Sequence, residues 1–467
     1  MTLTRRGAIS IPGATIAAKL AGSSAGAVAG APPSGAPRQI RAVEFDDRDH
    51  FLRCPAELVA DATHVVLARV HPRAARQPRG SLTYVRSADS EGLAGEVVKD
   101  GIHWLPLYDR DPVNVLQFGA AGDGQTDDIA ALEVARDFAL GFGGEVEFPA
   151  GNYRITRTFR IGPPRWRGYE EQAYRTNYLK GAEQAPLHVD ENLYANYRLM
   201  AIGLRARGAV NIIADFTADR LTPVVEYNVM SNLGVSSIVG PFRVIPPALF
   251  DGRRYRRNSG YKPTGNLIGW AFNGHGVKRI QGIAASGMTI GAIAVSLYWS
   301  SLSDMHFEAC GDCLNVPNAN AMRISNVVMW YSERGLVIDG AASYVGQIHA
   351  QQVGQELVVP FAECCDFEDC YFEDASKEPS PGTHAVTLGL EPNAGKRIIA
   401  TQMRSVRVGA RRPGKRSFVI RTATGLTLNG CREYSGGVDA DQVSNGILIG
   451  TDFAHAPALP GDRFTRL

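Results

Sequence analysis

The chain has 467 residues, 45% hydrophobic and 21% charged, enough apolar material to bury a large core. Lys plus Arg is 49 and Asp plus Glu is 47, a formal charge of +2, which excludes a nucleic-acid binder held by bulk charge. No apolar run reaches the ~20 residues of a membrane-spanning helix, and seven Cys spread over this length do not form a disulfide scaffold.

In chain order, residues 1–38 come first and are compositionally foreign to the rest. Thr4-Arg5-Arg6-Gly7 leads into Ala, Gly and Ser, with Ala27-Val28-Ala29 near the end. The segment resembles a twin-arginine export signal, although Pro12 and Lys19 interrupt its apolar middle. The other reading is a flexible Ala/Gly arm that docks on a larger assembly. Residues 39–111 read as a small β-rich leader domain, with strands at Val65–Val70, Leu82–Val85 and Gly101–Leu107.

Val113 to Asp128 is Gly- and Asp-rich and precedes a helical pattern near 127–140 with Ile129, Leu132, Ala135 and Phe138 on one face. Thr126 or Asp127 can cap that helix and Gly141 to Gly144 stop it. Glu145 to Ile155 then reads as strand, turn, strand. Neither G-x-x-x-x-G-K-[ST] nor G-x-G-x-x-G occurs here, so this is not a nucleotide-binding turn.

The run Val113-Asn114-Val115 … Phe118-Gly119-Ala120 … Gly122-Asp123-Gly124 … Thr126-Asp127-Asp128, followed by Gly143 to Tyr153, closely resembles the start of the pectate-lyase-like superfamily of right-handed parallel β-helices. Within it the chain looks most like bacteriophage tailspikes and capsule depolymerases, whose leader has the flavour of Gly80 to Leu107. The resemblance covers roughly residues 80–155. It implies an all-β fold, a single-stranded right-handed parallel β-helix over 112–453 with an N-terminal capping helix and a C-terminal tail at 454–467. It also implies that Asp123, Asp127 and Asp128 are structural.

From about residue 276 the chain recurs every 20 to 30 residues, as stacked coils should. Aligned by eye, Met305/Phe307, Val327/Met329, Ile348/Ala350, Cys370/Phe372 and Val406/Val408 form two inward columns. Strand alternation then turns His306, Glu308, Val328, Trp330, His349, Gln351, Tyr371, Glu373, Arg407 and Gly409 outward. Asp304, Asn326, Gln347, Asp369 and Ser405 form a polar column at the start of each strand. Cys310 and Cys313 have no second pair at zinc-finger spacing and read as core thiols. Insertions at 162–208, with Trp166 and five Tyr, and at 250–264, with Arg253-Arg254-Tyr255-Arg256-Arg257, either bind a partner or fold back over the coil.

Aromatic rings beside carboxylates, imidazoles and guanidinium groups suit sugars. The sequence therefore nominates His306, Trp330, His349, Tyr371 and Arg407 as substrate-binding residues. Glu373, Asp369, Glu308 and Glu333 are the candidate catalytic carboxylates, paired as Glu373 with Asp369 or Glu308 with Glu333. Glu308 and Glu373, three coils or about 14 Å apart, are too far from each other for a paired-carboxylate glycosidase at ~5–9.5 Å. No metal or cofactor is called for; calcium at Asp369 or Glu373 enters only if the chemistry is β-elimination on a uronate, with Arg407, Arg411, Arg412, Lys415 and Arg416 neutralising the substrate carboxylate. Gly274-His275-Gly276 and Arg279-Ile280 only superficially match polygalacturonase motifs, and His275 reads as a turn residue.

The expected function is binding, with depolymerisation, of a bacterial surface polysaccharide by a tailspike-like protein. The resemblance implies a homotrimer, attached to a virion or tail through the N-terminal region. Two alternatives stand: an exported bacterial polysaccharide lyase or glycoside hydrolase, and a catalytically inactive virion adhesin that binds host capsule.

Overall fold

The computed structural model describes residues 41–74, 81–91, 95–109, 112–140, 144–161, 202–227, 231–258, 260–273, 276–295, 297–373, 384–389, 397–409, 416–435, 437–453 and 464–466. The calls on residues 1–38, on the aromatics of 162–201, on Gly274-His275 and on Arg411, Arg412 and Lys415 lie outside these residues. Two compact units emerge. One is Met1–Asp109 with Leu116–Gly119, the other Arg110–Val115 with Ala120–Leu467.

The first unit holds a five-stranded sheet of Ala42–Phe45, His64–Leu67, Leu82–Ser87, Ile102–Leu107 and Val97–Lys99, in that spatial order. The three strands expected from alternation are present, and two short ones lacked a clear pattern. Asp100 and Gly101 have φ of 54° and 74°, so the Val97–Lys99 and Ile102–Leu107 pair closes through a two-residue turn that needs left-handed backbone at both positions. Asp47 caps the helix Arg48–Arg53 by accepting from the His50 amide at 2.8 Å. The helix drives Phe51 against Tyr84 and Trp104, with the Trp104 ring edge-on at 5.6 Å. All three are fully buried.

The second unit is the all-β solenoid, and the Asp-rich run closes its start. The Asp123 carboxylate accepts from the amides of Gln125 and Thr126, at 2.8 and 2.7 Å. Asp128 accepts from the amides of Ala121 and Gly122, at 2.6 and 3.2 Å. Asp127 accepts from the Ile129 amide and from Thr156 Oγ1. These carboxylates are consumed by backbone donors at a helix start, which is a structural role. The helix Ile129–Leu140 buries Ile129, Leu132, Ala135 and Ala139; Phe138, expected on that face, is half-buried.

Parallel coils follow. One long sheet stacks Glu145–Ile155, Gly203–Ala214, Ser231–Ile245, Gly276–Ser286, Ser301–Glu308, Arg323–Trp330 and Tyr344–Gln351, then shorter paired strands to Gly446–Ile449. A second sheet stacks Phe159–Ile161, Thr222–Tyr227, Leu267–Asn273, Ile290–Val295, Asp312–Asn320 and Arg334–Ala341, and continues to Val438–Ser444. The solenoid therefore begins at Glu145, well before the visible repeat at 276, and Gly203–Ala214 is a strand rather than the end of an insertion.

Left-handed corners shape each coil. Asp304, Asn326, Gln347, Asp369 and Ser405 all have φ between 51° and 56°, continued by Gly430 and Gly450. The polar column thus sits inside the first sheet and folds it lengthwise, instead of marking a strand start. Short polar side chains tolerate this backbone better than branched ones. Asp304 ties the column together, accepting from Asn326 Nδ2 at 2.5 Å and Gln281 Nε2 at 2.7 Å. Behind it, Met305, Phe307, Val327, Met329, Ile348, Ala350, Cys370, Phe372, Val406 and Val408 are all buried, as the inward columns require. Cys310 and Cys313 are buried thiols in the same core.

Candidate functional site

The strand register brings the outward residues into two ladders. His306 pairs with Val328, then His349, Tyr371, Arg407, Arg432 and Asp452; Glu308 pairs with Trp330, then Gln351 and Glu373. Neighbours in each ladder are one coil apart, about 4.8 Å. All five residues nominated for substrate binding therefore share one face. Arg432 extends it and was missed, because the irregular pairing between Val408 and Gly409 hides the next repeat.

Along this face the rings touch. His306 meets Trp330 edge-on at 4.8 Å, and His349 lies 5.5 Å from Tyr371. Tyr371 is 39% exposed. The Nε2 atoms of His306 and His349 and the Nε1 of Trp330 are shielded from solvent and have no hydrogen-bond partner among the described residues. Burial, then the charge of Arg243, pushes the His306 imidazole down to about 4, so it is neutral at physiological pH. Arg407 and Arg432 are exposed and stacked in adjacent coils, with no carboxylate bound to either among the described residues. Like charges in such register repel.

The carboxylates fare differently. Glu308 does face away from the core, but it is 2% exposed, because the segment after Phe250 folds back onto it. Arg257 Nε donates to Glu308 at 2.6 Å and the Tyr255 hydroxyl at 2.9 Å. The Arg257 guanidinium lies over Trp330 and Tyr331, 4.6 and 4.9 Å from their ring centres. Burial raises the Tyr255 hydroxyl to about 12, so it stays a donor. The segment's arginines were legible as a loop; their target was not. Glu308 is therefore a closed ion pair and not an exposed acid.

No hydrogen bond links the members of either proposed carboxylate pair among the described residues. Glu333 is exposed and lies past the Tyr331 corner, one coil down and three residues beyond the position level with Glu308. Asp369 occupies the left-handed corner, four residues before Glu373. At ~3.3 Å per extended residue their backbones stand about 13 Å apart. Glu373, half-buried, sits at the strand end beside Gln351 with no ion-pair partner among the described residues. No cluster of three or more potential metal ligands occurs among the described residues, and no helix among them is long and apolar enough to cross a membrane.

Comparison with known proteins agrees with this architecture. The family model described as rhamnogalacturonase A/epimerase, pectate lyase-like, matches residues 112–181. Mannuronan C5-epimerases AlgE3 and AlgE1 of Azotobacter vinelandii are each 38% identical to this chain, over 88 and 92 residues, or 17% and 18% of it. The chain spans only 5% and 7% of the lengths of those relatives. Among solved structures, the tailspike protein of Acinetobacter baumannii phage AM24 is similar over 86% of this chain and 64% of that one, with a TM-score of 0.55 at 13% identity. The fold is the right-handed parallel β-helix of pectate-lyase-like proteins, as the sequence resemblance implied.

Proposed function

We propose that the outer face of the first sheet, from Trp330 to Arg432, binds a bacterial surface polysaccharide. The observation that carries this reading is the ladder itself. His349, Tyr371, Arg407 and Arg432 present stacking surface and hydrogen-bond donors at successive coils, a spacing suited to an extended polymer. Arg407 and Arg432, adjacent in the ladder and without an ion-pair partner among the described residues, favour a glycan with acidic substituents. The likeness to a tailspike supports a virion or extracellular spike, assembled as a homotrimer, whose glycan is host capsule or lipopolysaccharide.

Depolymerisation is part of the proposal, with Glu373 as the carboxylate best placed to take part, since it is not held in an ion pair among the described residues. A second reading is uronate chemistry, elimination or epimerisation. It is favoured by the two adjacent guanidinium groups of Arg407 and Arg432 and by local similarity to mannuronan epimerases. In that reading Arg407 neutralises the uronate carboxylate, and calcium beside Glu373 is an optional addition. The test is incubation with a panel of acidic and neutral bacterial polysaccharides, followed by new reducing ends and by the ultraviolet absorbance of unsaturated uronates. Reducing ends alone indicate hydrolysis; both signals indicate elimination. Binding with neither signal, and no change in uronate stereochemistry, makes the protein an adhesin. Failure to bind any of the panel counts against the reading as a whole.

A further inference from the structure

The outer face is not uniform along its length. In the early coils the ladder that leads to His306 carries Asn152, Asn211, Arg243 and Ala284, and Asn211 Nδ2 donates to Asn152 Oδ1 at 2.8 Å. Next comes the segment that folds back. It is a built element: Phe250 and Tyr255 form a β-bridge, and the Asp251 carboxylate accepts from the amides of Arg253 and Arg254 and from Arg256 Nε, all within 3.0 Å. Tyr255 and Arg257 then fasten it to Glu308, and Arg243 backs the Tyr255 ring at 4.4 Å while donating to Ser286 Oγ. Its far edge is the Arg257 guanidinium, laid on Trp330 and Tyr331. Past that edge, the outward residues Gln351, Glu373, Arg407 and Arg432 make no hydrogen bond, ion pair or ring contact with the segment among the described residues.

We infer that this strap is the end wall of the glycan face, so that the site takes the end of a chain and not its interior. The inference rests on the outer-face reading above. A polymer lying on the ladder meets Arg257 and Trp330 and goes no further. In the other direction it has about 19 Å of open ladder from His349 to Asp452, four coil steps. The wall is cationic. Arg254, Arg256 and Arg257 have side chains 84%, 70% and 49% exposed, so it presents guanidinium groups to whatever terminal unit reaches it.

The experiment counts protein copies per polysaccharide chain by sedimentation, one copy meaning one intact assembly of the protein in its solution oligomeric state, with short and long size-fractionated chains of polymannuronate, polygalacturonate and capsular polysaccharide as probes. Wild type should load one copy per chain at both lengths. The Tyr255→Phe/Arg257→Ala protein should load one copy on short chains and several-fold more on long ones. If the double variant fails to give a native circular dichroism spectrum, Glu308→Gln, which removes the charge that holds Arg257, replaces it. Several wild-type copies on one long chain would overturn the wall. A variant that still loads one copy on long chains would overturn the strap as its cause. Absence of binding by both proteins to every probe defeats the glycan reading and the wall with it, and is distinct from either result.

Discussion

Asp128 shows how much one carboxylate does at the start of the solenoid. It is 1% exposed, accepts two backbone amides, and burial raises it from its ordinary 3.8 to about 7. A folded-state value above the unfolded one means the native state binds the proton more tightly. Its contribution is fully present below about pH 4 and is lost as pH rises through about 7. Urea midpoints of wild type relative to Asp128→Asn should therefore fall between pH 4 and 7 and level off above. Asp128→Ala, which strands both amides, should cost about 2 kcal/mol or more. On the outer face, Trp330→Ala and Arg407→Ala should each weaken glycan binding roughly tenfold, about 1.4 kcal/mol, as measured by calorimetry. Glu373→Gln should leave binding intact and abolish turnover. If Trp330→Ala and Glu373→Gln leave both properties unchanged in folded protein, the site lies elsewhere on the molecule.

At the scale of the element, corners matter more than strands. Inward columns were legible because Met305/Phe307 and their equivalents repeat at every coil, and a period-two pattern fixes which face is buried. The corner column was legible as polar but not as left-handed. Asp, Asn, Gln and Ser occupy it, and only the backbone shows that the strand folds there. Gly340 tests the tightness of coil stacking. Its φ is 143°, and a methyl group there would meet the Ala319 carbonyl oxygen at 1.8 Å. Gly340→Ala should lower stability by roughly 3 kcal/mol or more, seen as a drop in Tm. The early coils stayed hidden for a related reason. A long segment separates Glu145–Ile155 from Gly203–Ala214, and a register shift between Arg205 and Val210 breaks the pattern that would reveal them.

The solenoid as a whole is close to one-dimensional, since each coil pairs with the coil before and after it. Phe307, fully buried and in register with Ala285 and Met329, is a suitable probe. Phe307→Ala should cost about 3–5 kcal/mol. Hydrogen exchange should speed up in Gly276–Ser286, Ser301–Glu308 and Arg323–Trp330, while Gly446–Ile449 keeps its protection. Uniform loss across all coils would mean that the solenoid unfolds as one cooperative body.

Residues along the chain were enough to determine the β-helix, its capping segment, the inward columns and the alignment of His306, Trp330, His349, Tyr371 and Arg407. The columns and the alignment follow from local periodicity, because each coil repeats the same solution to burying one face; the β-helix and its cap follow from the family resemblance of the Val113 to Asp128 run. What the carboxylates can do was decided by tertiary structure alone. Glu308 reads as an outward acid until the strap from residues 250–257, some fifty positions earlier, lays Tyr255 and Arg257 on it. Asp369 reads as an outward acid beside Glu373 until the backbone places it at a left-handed corner. Ion pairing depends on which distant segment covers a face, and strand alternation carries no information about that.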